Sequence, residues 1–190
     1  MRKLMRLIVL LLCACLLSSC SGKEFKFDEA ISWHSTIENI EAKYGTQYSE
    51  SEKIMPQKND NYNSKQIKYT NFNCCGFDNF NLYFYVNEQE KDISLISVAY
   101  SDLSSKEMND SIISALISKY GEPSDTTENY LGGEGLYAME WLSAVKETRV
   151  LLVYGEGKRT NIKYYNTKYY SPEGEIETSR KMLQPQTNGI

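Results

Sequence analysis

One long apolar run, residues 7–17, has neither helical nor strand periodicity. It is shorter than the ~20 apolar residues that a membrane-crossing helix needs. Beyond it, the pattern of apolar and polar positions predicts short elements. Ser35 and Glu38 have the spacing of a capping box, so a helix is expected from Thr36, with Ile37, Ile40 and Tyr44 on one stripe and Gly45 as its stop. Residues 46–65 are polar and lack a period, and they read as a long loop. Strands are expected at 66–72, 80–87 and 92–101. In the second, Leu82, Phe84 and Val86 face one way and Tyr83 and Tyr85 the other. Leu95 and Ile96 break the alternation of the third, which suggests a bulge.

The same order then returns. Ser104 and Glu107 make a second capping box, Met108, Ile112, Leu116 and Tyr120 form an apolar helix face, and Gly121 and Pro123 end it. Gly132, Gly133 and Gly135 lack the lysine and hydroxyl of a phosphate-binding loop and read as a flexible turn. Three strands are expected at 136–144, 148–155 and 159–169, the last two joined by a turn at 155–158. Lys-Tyr-Gly closes both helices, at 43–45 and 119–121. The expected fold is therefore α+β. Two αβββ repeats, 28–103 and 104–170, would form an antiparallel sheet of about six strands with the helices packed on one face. Residues 171–190 are polar; either a short helix over 175–183 or a frayed tail fits them.

Charge changes the picture at the start of the chain. Arg2, Lys3 and Arg6 precede the apolar run, and small residues follow it, as in a secretory signal covering 1–19. Leu17-Ser18-Ser19-Cys20 resembles the bacterial lipoprotein box, an aliphatic residue and two small ones before a cysteine. The resemblance implies cleavage before Cys20, a diacylglyceryl thioether on that cysteine and usually an acylated (palmitate-type) amine. Acyl chains contribute about 0.8 kcal/mol per buried methylene, enough in pairs for a firm anchor. Residues 20–27 would then be the lipidated cysteine and its tether. In the best-known sorting system, aspartate after the cysteine retains a lipoprotein at the inner membrane; Ser21 stands there, which favours the outer membrane.

The arrangement over 33–165 resembles the small helix-plus-sheet envelope proteins, the β-lactamase inhibitory protein and the SmpA/OmlA (BamE-type) outer-membrane lipoproteins. The residues that carry this are Trp33-His34-Ser35-Thr36-Ile37-Glu38 leading to Lys43-Tyr44-Gly45, and Lys119-Tyr120-Gly121-Glu122-Pro123. The resemblance implies protein–protein binding through an exposed sheet face, with no catalysis and no cofactor.

The chain has formal charge −4, and the signal holds three of its cations, so the remainder is more acidic still. That excludes the basic footprint of a nucleic-acid binder. Fifteen tyrosines suit strands and interfaces, and Tyr83, Tyr85, Tyr100, Tyr164 and Tyr165 are the candidate binding residues, with Tyr169 and Tyr170 near them. Packing under the helices is the competing use of the same rings. His34 is the only histidine, and it lacks the companions of a catalytic set. Cys74-Cys75 reads as two thiols in a turn before Gly76; a redox-active pair, a soft-metal site and an intermolecular disulfide are the alternatives. No catalytic or metal site is expected. The functional expectation is a lipid-anchored, non-enzymatic envelope protein that binds another protein, or alternatively a small molecule or glycan.

Overall fold

A computed structural model describes residues 26–56, 61–143, 147–170 and 174–183. The elements run α1 (Ile37–Tyr44), β1 (Ser49–Pro56), β2 (Asn61–Cys74), β3 (Phe77–Asn87), β4 (Ile93–Tyr100), α2 (Lys106–Tyr120), β5 (Asp125–Thr127), a 3-10 turn (Tyr130–Gly132), β6 (Tyr137–Leu142), β7 (Thr148–Tyr154), β8 (Asn161–Asn166) and α3 (Glu175–Leu183). The strands form one antiparallel sheet in the order β1-β2-β3-β4-β8-β7-β6-β5. No helix among the described residues is long and apolar enough to cross a membrane.

This corrects the expected fold. The sheet has eight strands rather than about six, and it is not built from two αβββ units. The two unexpected strands are its edges. β1 lies within the stretch read as a loop, because all of its residues but the partly covered Met55 are exposed and no buried face imposes a period. The same stretch also holds the first residues of β2. β5 has only three residues, too few to show alternation. Nor are the helices confined to one face, since α3 packs on the other.

Both helix starts lie one residue later than their capping boxes predict. Ser35 Oγ accepts the Ser32 N–H at 2.9 Å, which closes a turn before α1, and Thr36 caps the helix with its N–H on Asn39 Oδ1 at 2.9 Å. Ser105 caps α2 by accepting the Met108 N–H at 3.2 Å, while the buried Ser104 hydroxyl donates to the Gly155 carbonyl at 2.8 Å. The stops fall where expected. Gly45 and Gly121 take φ of 88° and 85°, a region open to glycine, and return their N–H groups to Glu41 and Ile117.

The larger core lies between α1, α2 and the sheet. Ile40, Met108, Ile112 and Leu116 meet Ile67, Leu82, Phe84, Ile96, Val98, Val150, Leu152 and Ile162, all essentially buried. Full burial of such side chains contributes roughly 1.5–3 kcal/mol each. Trp141 is fully enclosed there and donates its indole N–H to the Gly121 carbonyl at 2.8 Å. β4 is buried on both faces, which is why its sequence does not alternate cleanly. Its irregularity falls at Ser94, because Tyr85 pairs with Leu95 and Val86 with Ile93.

Candidate functional site

Among the described residues the second face of the sheet is only partly covered, and the register identifies what remains open. Lys68, Tyr83, Ser97, Lys163, Leu151, Glu140 and Asp125 are successive cross-strand partners from β2 to β5. Partners in register share a face, so these side chains form one row opposite the helix-covered core.

The C-terminal segment covers the far end of that row. Arg180 of α3 forks onto Asp125 at 2.7 and 2.8 Å and also donates to the Thr126 carbonyl. Glu140 and Arg149 are each 2% exposed, with Arg149 Nε 3.2 Å from Glu140 Oε1 and Nη2 donating to Glu175 Oε1 at 3.2 Å. Burial pushes the Glu140 carboxyl above its ordinary range, against the opposing pull of the Glu175 N–H and the Arg149 guanidinium. That guanidinium also lies over the Tyr165 ring, 4.4 Å from its centroid. Ile176 completes the seal over Ala138, Leu151 and Tyr165.

A second cover follows β8. Tyr170 meets Tyr165 edge-on at 4.9 Å, its hydroxyl lies 3.3 Å from that of Tyr62, and Tyr169 packs against the Tyr62 ring. His34 takes part in holding this segment down. Its Nδ1 lies 3.0 Å from Asp92 Oδ1, and Lys168 reaches both Asp92 Oδ2, at 3.0 Å, and Glu90. Burial pushes the Asp92 carboxyl up, but these two donors outweigh it and hold it below the ordinary carboxylate range.

The surface left between these covers is an aromatic and polar patch over β2, β3, β4 and β8. Tyr83 and Tyr85 stand side by side on it, with centroids 6.4 Å apart. Gln66 donates to the Tyr85 hydroxyl at 2.6 Å and accepts from Ser51 at 3.0 Å. The Lys68 ammonium lies 5.7 Å from the Tyr83 centroid, and Ser97 donates to Asn161 Oδ1 at 2.9 Å. Lys163 lies next to Ser97 at the β8 margin of the patch, mostly covered, and no hydrogen bond or ion pair from the described residues reaches its ammonium. Burial pulls its pKa down, the Glu175 carboxylate opposes this, and the Arg149 guanidinium adds to the lowering.

Of the residues singled out from sequence, the patch unites Tyr83 and Tyr85 alone. Tyr100 packs on Phe80 toward the helix side, at 5.0 Å. Tyr164 is 5% exposed in the helix-side core beside Phe27 and Tyr120, and Tyr165 is 4% exposed beneath Tyr170. Cys20 lies outside the described residues. Sequence reading missed Lys68, Lys163 and Gln66, although a lysine between Ile162 and Tyr164 in an alternating strand signals a side chain facing away from the core. It also missed the partner of His34, 58 positions away, for which the sequence carries no local sign. No protein-family model, curated protein or solved structure matches this chain.

Proposed function

We propose that this protein is a non-enzymatic lipoprotein of the bacterial cell envelope, anchored through Cys20, at the outer membrane by preference, whose folded domain docks another protein on the open part of its sheet. The observation that carries the docking reading is Lys163, a largely covered ammonium with no hydrogen bond or ion pair among the described residues and only the more distant Glu175 charge to offset its burial, set beside Ser97 and in line with Tyr83 and Lys68. Tyrosine supplies large contact area at low entropic cost, and a desolvated lysine is compensated when a partner brings a carboxylate. An acidic side chain on the partner therefore fits the β8 margin of the patch. The anchor reading is supported by the cationic start, the apolar run and the lipoprotein-type box at 17–20.

One experiment addresses both parts. The tagged full chain is cross-linked in intact envelopes of cells that make it, captured and analysed by mass spectrometry, alongside Cys20→Ser and the Tyr83→Ala/Tyr85→Ala pair. The expected result is a lipidated, processed wild-type chain with a reproducible protein partner. Cys20→Ser is expected to remain an unlipidated precursor, and the double alanine to keep its anchor and lose the partner. A Cys20→Ser chain that is still processed and lipidated contradicts the anchor. A partner retained in full by the double alanine contradicts the docking face.

A further inference from the structure

The β2–β3 hairpin turns on Cys75 and Gly76, both with positive φ, 55° and 86°. Two-residue hairpin loops of this kind favour Asn-Gly or Asp-Gly, and a cysteine in the first position is an unusual choice. The turn is braced from both sides: Asn73 Oδ1 accepts the Gly76 N–H at 3.3 Å, and Asn73 Nδ2 donates to Asp78 Oδ1 at 2.9 Å. It holds the two thiols unequally. Cys74 is partly covered and packs against the helix-side core, whereas Cys75 is exposed. Cys74 Sγ points at Cys75 Sγ across 3.8 Å. The ammonium of Lys119, in the last turn of α2, acts on both thiols and is itself held by the Phe27 carbonyl at 3.0 Å.

We propose that Cys75 is a thiol-modification site that reacts with anionic low-molecular-weight disulfides, with Cys74 and Lys119 as its positioning residues. The Cys75 thiolate bonds to one sulfur of R–S–S–R. The S–S bond breaks, its electron pair leaves on the other sulfur, and that thiolate takes a proton from water. The disulfide is the oxidant, so one protein thiol and one disulfide become one mixed disulfide and one small thiol. The inference stands apart from the docking reading.

The electrostatics agree with this geometry. The hydrogen bond from Cys74 pulls the Cys75 thiol down to about 7, burial opposes it, and the Lys119 ammonium adds to the lowering. The same bond and burial push the Cys74 thiol up, leaving it the protonated donor. Partial desolvation pulls the Lys119 pKa down, Asp28 and Glu29, which face the ammonium, oppose that, and Tyr164 senses both thiols from the core side. A metal is the poorer occupant. Among the described residues no three His, Cys, Asp or Glu side chains gather to hold one, and Lys119 repels a cation.

The test uses the full chain in detergent and 5,5′-dithiobis(2-nitrobenzoate), an anionic disulfide that releases a coloured thiolate. Peptide mapping locates the adduct. The adduct is expected on Cys75 and not Cys74, with the pH–rate curve centred at about 7. Cys74→Ala is expected to move that midpoint toward the ordinary ~8.5 and to slow the reaction at neutral pH about threefold, since part of the lost thiolate is offset by greater nucleophilicity. Lys119→Gln, at an exposed position, moves the midpoint the same way and removes the preference for the anionic reagent over hydroxyethyl disulfide. Equal labelling of both cysteines, or a wild-type midpoint at ~8.5, overturns the proposal. The wild-type curve decides the matter even if Cys74→Ala fails to fold.

Discussion

Tyr164 and Tyr165 are neighbours in β8, yet they belong to different cores, one under α1 and α2 and the other under Tyr170 and Arg149. Their hydroxyls have little water, so burial raises both well above the usual phenol value. Burial also raises Tyr120 to about 12, and Tyr169 to about 12 against the opposing pull of Lys168. A phenol with a raised pKa in the fold ionises more readily in the unfolded chain, near ~10. The stability these groups contribute is therefore complete below ~10 and is lost as pH climbs through their folded values. Lys163 and Lys119, with their lowered pKa values, act in the opposite sense, but they are two amines against several phenols. Alkaline titration should show phenolate absorbance and loss of near-ultraviolet circular dichroism rising together, between pH ~10 and about 12. Complete titration of the tyrosines near ~10 with the dichroism intact would contradict their burial.

At the level of elements, α3 is the most conditional part of the fold. It is held by two ion-pair sites and by Ile176, while Met182 and Leu183 remain exposed. Its approach depends on Gly174, where an added Cβ would lie 2.0 Å from Glu140 Oε2. Gly174→Ala should push the start of α3 away from Glu140, break the Glu175 N–H bond to that carboxylate and lower stability by about 1–3 kcal/mol. Limited proteolysis should then cut the C-terminal segment faster than in the wild type, while the sheet stays protected. Unchanged cleavage and thermal midpoint would show that the helix does not rest on this contact. Part of this level is legible in the sequence. α2 announced itself through Met108, Ile112 and Leu116, and β3 through strict alternation, because each has one buried face. β1 had no buried face to print a pattern, and the Ser32 N–H and the Gly155 carbonyl offered Ser35 and Ser104 competing hydrogen bonds that moved both caps by one residue. Helix and tail were both open for 175–183, because the contacts that decide it, Glu140, Arg149 and Asp125, lie far away in sequence.

At the scale of the whole molecule, the described residues form a sheet closed by α1 and α2 on one side and half closed on the other. What stays open is set by where the chain returns after β8, through the His34–Asp92–Lys168 contacts and the α3 ion pairs. That explains how far the candidate site could be read in advance. Tyr83 and Tyr85 followed from alternation in one strand. The fate of Tyr100, Tyr164 and Tyr165 required knowing which face each strand offers and what covers it, and the role of Lys163 required its neighbour Ser97 on β4. The uncovered region is the proposed working surface, and the helical side supports it. Site-specific photo-cross-linking tests this directly. A benzoylphenylalanine is placed at Tyr83, or at the exposed Ser114 of α2, in the intact envelope. The predicted result is one protein adduct from position 83, absent from position 114 and lost with Lys163→Glu. The same adduct from both positions, or none from position 83, would contradict the assignment of the open sheet face as the docking surface.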